Sequence, residues 1–116
     1  MTLYSADMTN HIEHNGMNIF DIPKHILPKE LTNILAISEN VRIERIVSTG
    51  QVSNWYDQTE TEWLVLLSGK SMIEYDAGET VLLTSGDTLM IPPHKRHRVI
   101  YTSSEPPCVW LCVFWK

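Results

Sequence analysis

The chain has 116 residues, enough for one buried core and too few for two. Its hydrophobic content of 43% and charged content of 20% are ordinary for a soluble domain, and a net charge of −5 with His neutral argues against a broad grip on nucleic acid; the one basic cluster, HKRHR at 94–98, reads as a solvated turn. The longest apolar run, VWLCVFW at 109–115, is far below the ~18 residues of a membrane span, and no charged-then-apolar leader precedes a cleavage site, so a cytoplasmic chain with no membrane contact is expected.

Residues 1–16, MTLYSADMTNHIEHNG, are polar and aperiodic, and are expected to form a flexible tail in which His11 and His14 are solvated rather than metal-bound. Apolar patterning starts at Met17, which opens an N-terminal segment over 17–40. Within it, PKELTNILAISEN at 28–40 sets Leu31, Ile34 and Leu35 at helical spacing after Pro28, which predicts a short helix. From residue 41 to 116 the period changes to two. VRIERIV, EWLVLL, SMIEYD, TVLLT, TLMIP, HRVIYT and VWLCVFW read as strands, separated by STG, SGK, DAG, TSGD, PPH and SSEPP. Short strands at regular spacing predict an all-β sandwich or barrel. Without a Gly-rich phosphate loop or strand–helix alternation, a nucleotide-binding α/β fold is a poor fit. Cys108 and Cys112 would lie roughly 13 Å apart along a strand, too far for a disulfide, and are expected as buried free thiols.

Residues of one parity share a strand face. If Leu64 and Leu66 point inward, Glu62, Gln58 and Tyr56 follow, unless a bulge near Thr59 breaks the count. His97, Val99 and Tyr101 also share a parity, with Val99 as the inward apolar residue. Tyr56, Gln58, Glu62 and His97 could therefore surround one point. Polar groups gathered inside a barrel require a metal, a ligand, water or one another.

At these residues the chain resembles the cupin superfamily. The family's first motif begins with Gly, is followed by two His and a Glu, and closes on Gly; here Gly50, Tyr56, Gln58, Glu62 and Gly69 occupy those slots at matching spacing. In the second motif Gly86, Pro92 and His97 match, while His94 stands in the middle Gly slot and Tyr101 in the Asn slot. The stretches VRIERIVS, WYDQ, EWLVLLSG, GDTLMIP, HKRHRV and VWL are similar to a branch of small single-domain cupins. The resemblance spans residues 41–115 and implies a jelly-roll barrel, or double-stranded β-helix, preceded by the short N-terminal helical segment. It also implies pairing as a homodimer, in keeping with the aromatic content.

The family's metal site uses three His and one Glu, of which Glu62 and His97 remain. The resemblance implies a single divalent ion, Zn, Fe, Ni or Mn, with Glu62 and His97 as ligands and Tyr56 and Gln58 as weaker ones. A phenol is a poor ligand unless a cation lowers its pKa, and the Gln58 carbonyl adds little charge. Without a metal, Tyr56, Glu62 and His97 form a candidate catalytic set for proton transfer, or the same groups satisfy one another. Tyr101, Trp55, His94 and Arg96 are candidate substrate contacts, with burial for Trp55 and solvent for His94 and Arg96 as the plainer roles. Asp57, on the opposite parity, is expected to pair with a backbone group or face a neighbouring strand, and Glu60 to sit in a loop. Two functions remain open. One is an enzyme acting on a small polar or anionic molecule by dioxygenase, isomerase or lyase chemistry. The other is a non-catalytic small-molecule or metal-binding sensor module using the same pocket.

Overall fold

The computed structural model describes residues 12–14 and 16–116, so His11 and most of the predicted tail lie outside the described residues. Eight strands follow one another: β1 (Leu31–Ile37), β2 (Val41–Ser48), β3 (Thr61–Ser68), β4 (Lys70–Tyr75), β5 (Thr80–Thr84), β6 (Thr88–Ile91), β7 (His97–Thr102) and β8 (Cys108–Trp115). They form a five-stranded sheet in the order β1-β2-β8-β3-β6 and a three-stranded sheet in the order β5-β4-β7. Every named pairing is antiparallel. The seven strands predicted from period-two alternation are all present. Leu64, Leu66, Ile73, Leu83, Ile91, Trp110, Cys112 and Phe114 meet between the sheets as the core. Burying each large apolar side chain there stabilises the fold by about 1.5–3 kcal/mol. Both cysteines are buried and free.

The predicted helix over 28–40 is replaced by β1. Its three apolar residues at helical spacing could not bury a helical face, because Ile34 and Leu35 remain exposed. The segment instead takes up the open hydrogen-bonding edge of β2. The register shifts between Ile34 and Ala36, leaving Leu35 as an extra residue. That bulge places two apolar residues in succession and imitates helical spacing in the sequence. No helix among the described residues is long and apolar enough to cross a membrane. The four tryptophans are buried or half-buried; the exposed apolar residues at the β1 end are the aliphatic Ile34, Leu35, Ile37 and Val41.

Both faces of β2 are covered. Arg42, Glu44, Ile46 and Ser48 face the space between the sheets. Arg45 and Val47 face the other way and are also buried. The Arg45 guanidinium donates to Asn33 Oδ1 and to the carbonyls of Ile19 and Asp21, which holds residues 19–21 against the outer face. The segment is tied again further on: the Leu27 N–H donates to Thr49 Oγ1, and Gln51 Nε2 donates to the Leu27 carbonyl. This brings Glu30, just before β1, to the rim of the interior.

Gly69, between β3 and β4, has φ +93°, and an added Cβ would lie 2.8 Å from both Cys108 Cα and the Pro107 carbonyl oxygen. Gly78 has φ +95° with open space around the same position. Gly69→Ala is therefore expected to cost the left-handed penalty of ~1–2 kcal/mol plus an overpacking term of ~1–3 kcal/mol, whereas Gly78→Ala costs the first alone. Denaturant unfolding of the two variants checks the difference.

Candidate functional site

A cavity of about 310 Å³ opens between the two sheets. Its inner wall is apolar, with Leu64, Ile73, Ile91, Val99 and Trp110. Its ionisable side chains include Glu30, Arg42, Glu44, Tyr56, Glu62, His97 and Cys112, with Gln58 and the neutral Thr32, Ser48, Gln51 and Ser53 beside them. Alternation on β2, β3 and β8 explains this set. Arg42 and Glu62 are both register partners of Phe114, while Glu44 and Leu64 are both partners of Cys112.

His97 stands at the start of β7, its side chain only 4% exposed. Its Nδ1 lies 2.8 Å from the Lys95 carbonyl oxygen. A carbonyl can only accept, so Nδ1 carries a proton and Nε2 is the ring nitrogen turned to the cavity. Nε2 is 3.9 Å from Glu62 Oε1, beyond hydrogen-bond distance. Glu62 Oε1 accepts from Gln58 Nε2 at 3.1 Å. Burial raises the Glu62 pKa above that of an ordinary glutamate, against the pull of the Gln58 hydrogen bond and the His97 charge. Burial also pushes the Cys112 thiol well up, reinforced by the neighbouring Glu62 charge, so Cys112 is a thiol and not a thiolate.

Tyr56 lies outside the strands, joined to β7 by one bridge. Its N–H donates to the His97 carbonyl at 2.7 Å, and the His97 N–H donates to the Tyr56 carbonyl at 3.1 Å. The Tyr56 and His97 ring centroids are 5.5 Å apart, and Tyr56 is 43% exposed at the cavity rim. Burial and the Glu30 charge raise the Tyr56 pKa, which keeps the group a phenol. The chain between Tyr56 and Thr61 is not a strand, as the DQTET stretch implied, yet Gln58 and Tyr56 still reach the cavity.

Tyr56, Gln58, Glu62 and His97 thus share one pocket. The four candidate substrate contacts do not line it. Tyr101 is turned outward by a bulge: β4 pairs Met72 with Tyr101 but Ile73 with Val99, so Ile100 is extra and the parity from Val99 to Tyr101 is broken. Thr102, buried, takes the inward place beyond Val99. Trp55 packs under two guanidinium groups, with Arg98 Cζ at 4.5 Å and Arg96 Cζ at 5.0 Å from its ring centroid. His94 has φ 61° in the slot where the motif has Gly, and its Nδ1 is 2.7 Å from Asp57 Oδ1. Its N–H donates to the Gln58 carbonyl at 2.8 Å. These bonds offset a left-handed conformation that costs a non-glycine residue ~1–2 kcal/mol.

Alternation read from Leu64 and Leu66 did not reach Glu30, Arg42, Glu44 or Cys112. On VRIERIV the odd residues look apolar and inward, but both faces of β2 are covered. Glu30 carried no signal, since its place depends on β1. Glu60 pairs with Arg42 through two bonds, at 2.9 and 3.1 Å, and does not join the Glu62–His97 pair.

The donor chemistry does not fit the family's four-ligand metal centre. Glu62 and His97 are strong donors. Gln58 turns its amide N–H toward Glu62, and Tyr56 is held as a phenol. Among the described residues, no group of three or more His, Cys, Asp or Glu side chains is placed to hold an ion.

The family model for the cupin domain matches residues 44–114. A solved structure of a candidate mannose-6-phosphate isomerase from Ralstonia eutropha JMP134 is 36% identical, covering 90% of this chain and 99% of that one, with a TM-score of 0.80. A cupin superfamily protein from Desulfitobacterium hafniense DCB-2 is 22% identical over 81% of this chain and 83% of its own, with a TM-score of 0.71. KdgF from Halomonas sp. is 17% identical over 86% and 92%, with a TM-score of 0.69. The last two likenesses show the fold alone. No curated protein matches this chain.

The raised Glu62 pKa has a defined effect on stability. Between the unfolded value near 4.5 and the higher folded value, the native state holds more protons than the unfolded chain, so stability falls as pH rises through that window. Above it the full penalty of a buried carboxylate remains. Glu62→Gln removes the titration while keeping a carbonyl acceptor for Gln58. It is expected to raise the melting temperature at neutral pH by a few degrees and to flatten the pH dependence above 4.5. Thermal melts from pH 4 to 8 on both proteins check this.

Proposed function

The chain belongs to the cupin domain family, and on that premise we propose that its pocket binds a small polar molecule and transfers a proton on it, in isomerase- or lyase-type chemistry. One observation carries this reading: His97, its Nδ1 committed to Lys95, turns Nε2 to the cavity with Glu62 Oε1 3.9 Å away. A substrate atom between them can lie within about 3 Å of both. His97 removes a proton from a carbon next to a carbonyl group. Glu62 stabilises the imidazolium that forms, and the Tyr56 phenol at the rim can donate to the oxygen that gains charge. The isomerase chemistry named for the R. eutropha protein, 36% identical to this chain, is of the same proton-moving kind and supports the reading. Metal-dependent dioxygenase chemistry is the poorer fit, since the pocket supplies only Glu62 and His97 as strong donors in the four motif slots.

Two measurements test the proposal. Wild-type protein in D2O is expected to exchange deuterium into the carbon next to the carbonyl of a small hydroxy-aldehyde or hydroxy-ketone, read by NMR. His97→Ala should lower that rate by ~10²–10⁴. Binding without exchange in wild type would leave the non-catalytic module as the function. Elemental analysis is expected to find less than one metal per chain. A stoichiometric metal lost in both His97→Ala and Glu62→Ala would overturn the metal-free mechanism.

A further inference from the structure

The pocket's Glu residues outnumber its Lys and Arg residues among the described residues. Glu30, Glu44 and Glu62 enter the lining from three different elements, and Arg42 is the one Lys or Arg among its residues. Arg42 is fully engaged. Its Nε donates to Glu44 at 2.7 Å, its two terminal nitrogens donate to Glu60, and its Cζ lies 4.3 Å above the Phe114 ring. The local group therefore holds four carboxylates, Glu30, Glu44, Glu60 and Glu62, against one guanidinium. A separate observation points the same way. The His97 side chain is more than nine-tenths buried, its Nδ1 is committed to Lys95, and its Nε2 faces the cavity with no hydrogen-bond partner among the described residues, Glu62 Oε1 standing 3.9 Å away.

The hydroxyl and amide groups of the lining, Thr32, Ser48 and Tyr56 among them, are neutral. The Gln58 and Gln51 amides are spent on Glu62 and on Leu27, and Ser53 Oγ donates to the Asn54 carbonyl. An anionic ligand would meet the like charges of the pocket carboxylates, and among the described residues Arg42, the one Lys or Arg of the lining, is already engaged. A ligand carrying N–H donors and positive charge meets what it needs. Tyr56 and Trp110 also belong to the lining.

Resting on the pocket reading above, we infer that the ligand is a small organic cation, a primary or secondary amine that carries hydroxyl groups and the carbonyl of the proposed reaction, and not a phosphate or carboxylate. Glu30 and Glu62 select it by charge, and His97 Nε2 accepts one of its N–H or O–H protons. Burial and the Glu44 charge hold the Glu30 pKa above the usual carboxylate range, a cost that a bound cation relieves.

The test is an NMR screen of the full chain against three equal sets of small molecules: hydroxylated amines, neutral polyols, and sugar phosphates with hydroxy acids. A pocket binder is one that shifts the His97 ring resonances. The expected result is that pocket binders come from the amine set, and that Glu30→Gln and Glu62→Gln each weaken them roughly tenfold, the scale of one partly buried charge contact. Anions that bind the pocket, and tighten in the Gln variants, would overturn the inference while leaving the pocket reading intact. Neutral binders indifferent to both variants would do the same. If no compound in any set shifts His97, the pocket reading falls with it.

Discussion

The register of β8 between β2 and β3 is the constraint on which the rest of the structure depends. β8 pairs along its whole length with β2, and with β3 from Thr61 to Leu66 before a bulge. Three rows of side chains result across the inner face: Arg42–Phe114–Glu62, Glu44–Cys112–Leu64 and Ile46–Trp110–Leu66. The first two rows mix charged and apolar groups, and the third is wholly apolar. A slip of one residue would turn every one of these side chains to the opposite face. The apolar third row resists that slip, because it would expose Leu66 and Trp110, both buried. The packing of the core thus sets where the charges of the pocket stand.

The second sheet contributes the other half of the site through a different device. Tyr75 pairs with His97 and Ile73 with Val99, so inward residues of β4 meet inward residues of β7. His97 is held at three points: its Nδ1 on the Lys95 carbonyl, and its backbone on both polar groups of Tyr56. Each bond leaves Nε2 less freedom to find a partner of its own. A ring so fixed has little orientation left to lose when a substrate arrives. The surface pairs Asp57–His94 and Trp55 with Arg96 and Arg98 tie the flanking loops to each other, so residues expected at the substrate instead support the segment that carries Tyr56 and Gln58.

The barrel strands and the four-residue pocket set could be read in the sequence because both rest on local alternation. EWLVLL shows which parity is buried, and Glu62 is carried with it. The glycines of the two motifs, Gly50, Gly69 and Gly86, all adopt positive φ, a backbone demand that leaves a direct mark on residue type. What could not be read depended on contacts distant in sequence. Residues 31–37 become a strand only because β2 offers an edge. Tyr101 points outward because of a single extra residue at Ile100, and nothing in HRVIYT announces that bulge. Arg42 and Glu44 reach the pocket because residues 19–21 cover the other face of β2, anchored by Arg45. Where one strand is buried on both faces, parity alone cannot say which face holds the chemistry.

Tyr56 and Gln58, in slots where the family has histidines, alter more than the number of metal donors. Two imidazoles beside Glu62 and His97 would place four good ligands around one point. A phenol and an amide instead give one group whose pKa burial raises and one whose N–H binds the carboxylate. Glu62, buried, is thereby held by a neutral donor, with His97 Nε2 3.9 Å away. Glu44 is partly neutralised by Arg42, and Glu30 is not. The outcome is a pocket whose electrostatic debt is left for its ligand to settle. With Tyr56 and Gln58 in place of two histidines, two strong donors remain in a pocket of three glutamates, and the proposed recognition of a cation rests on that balance.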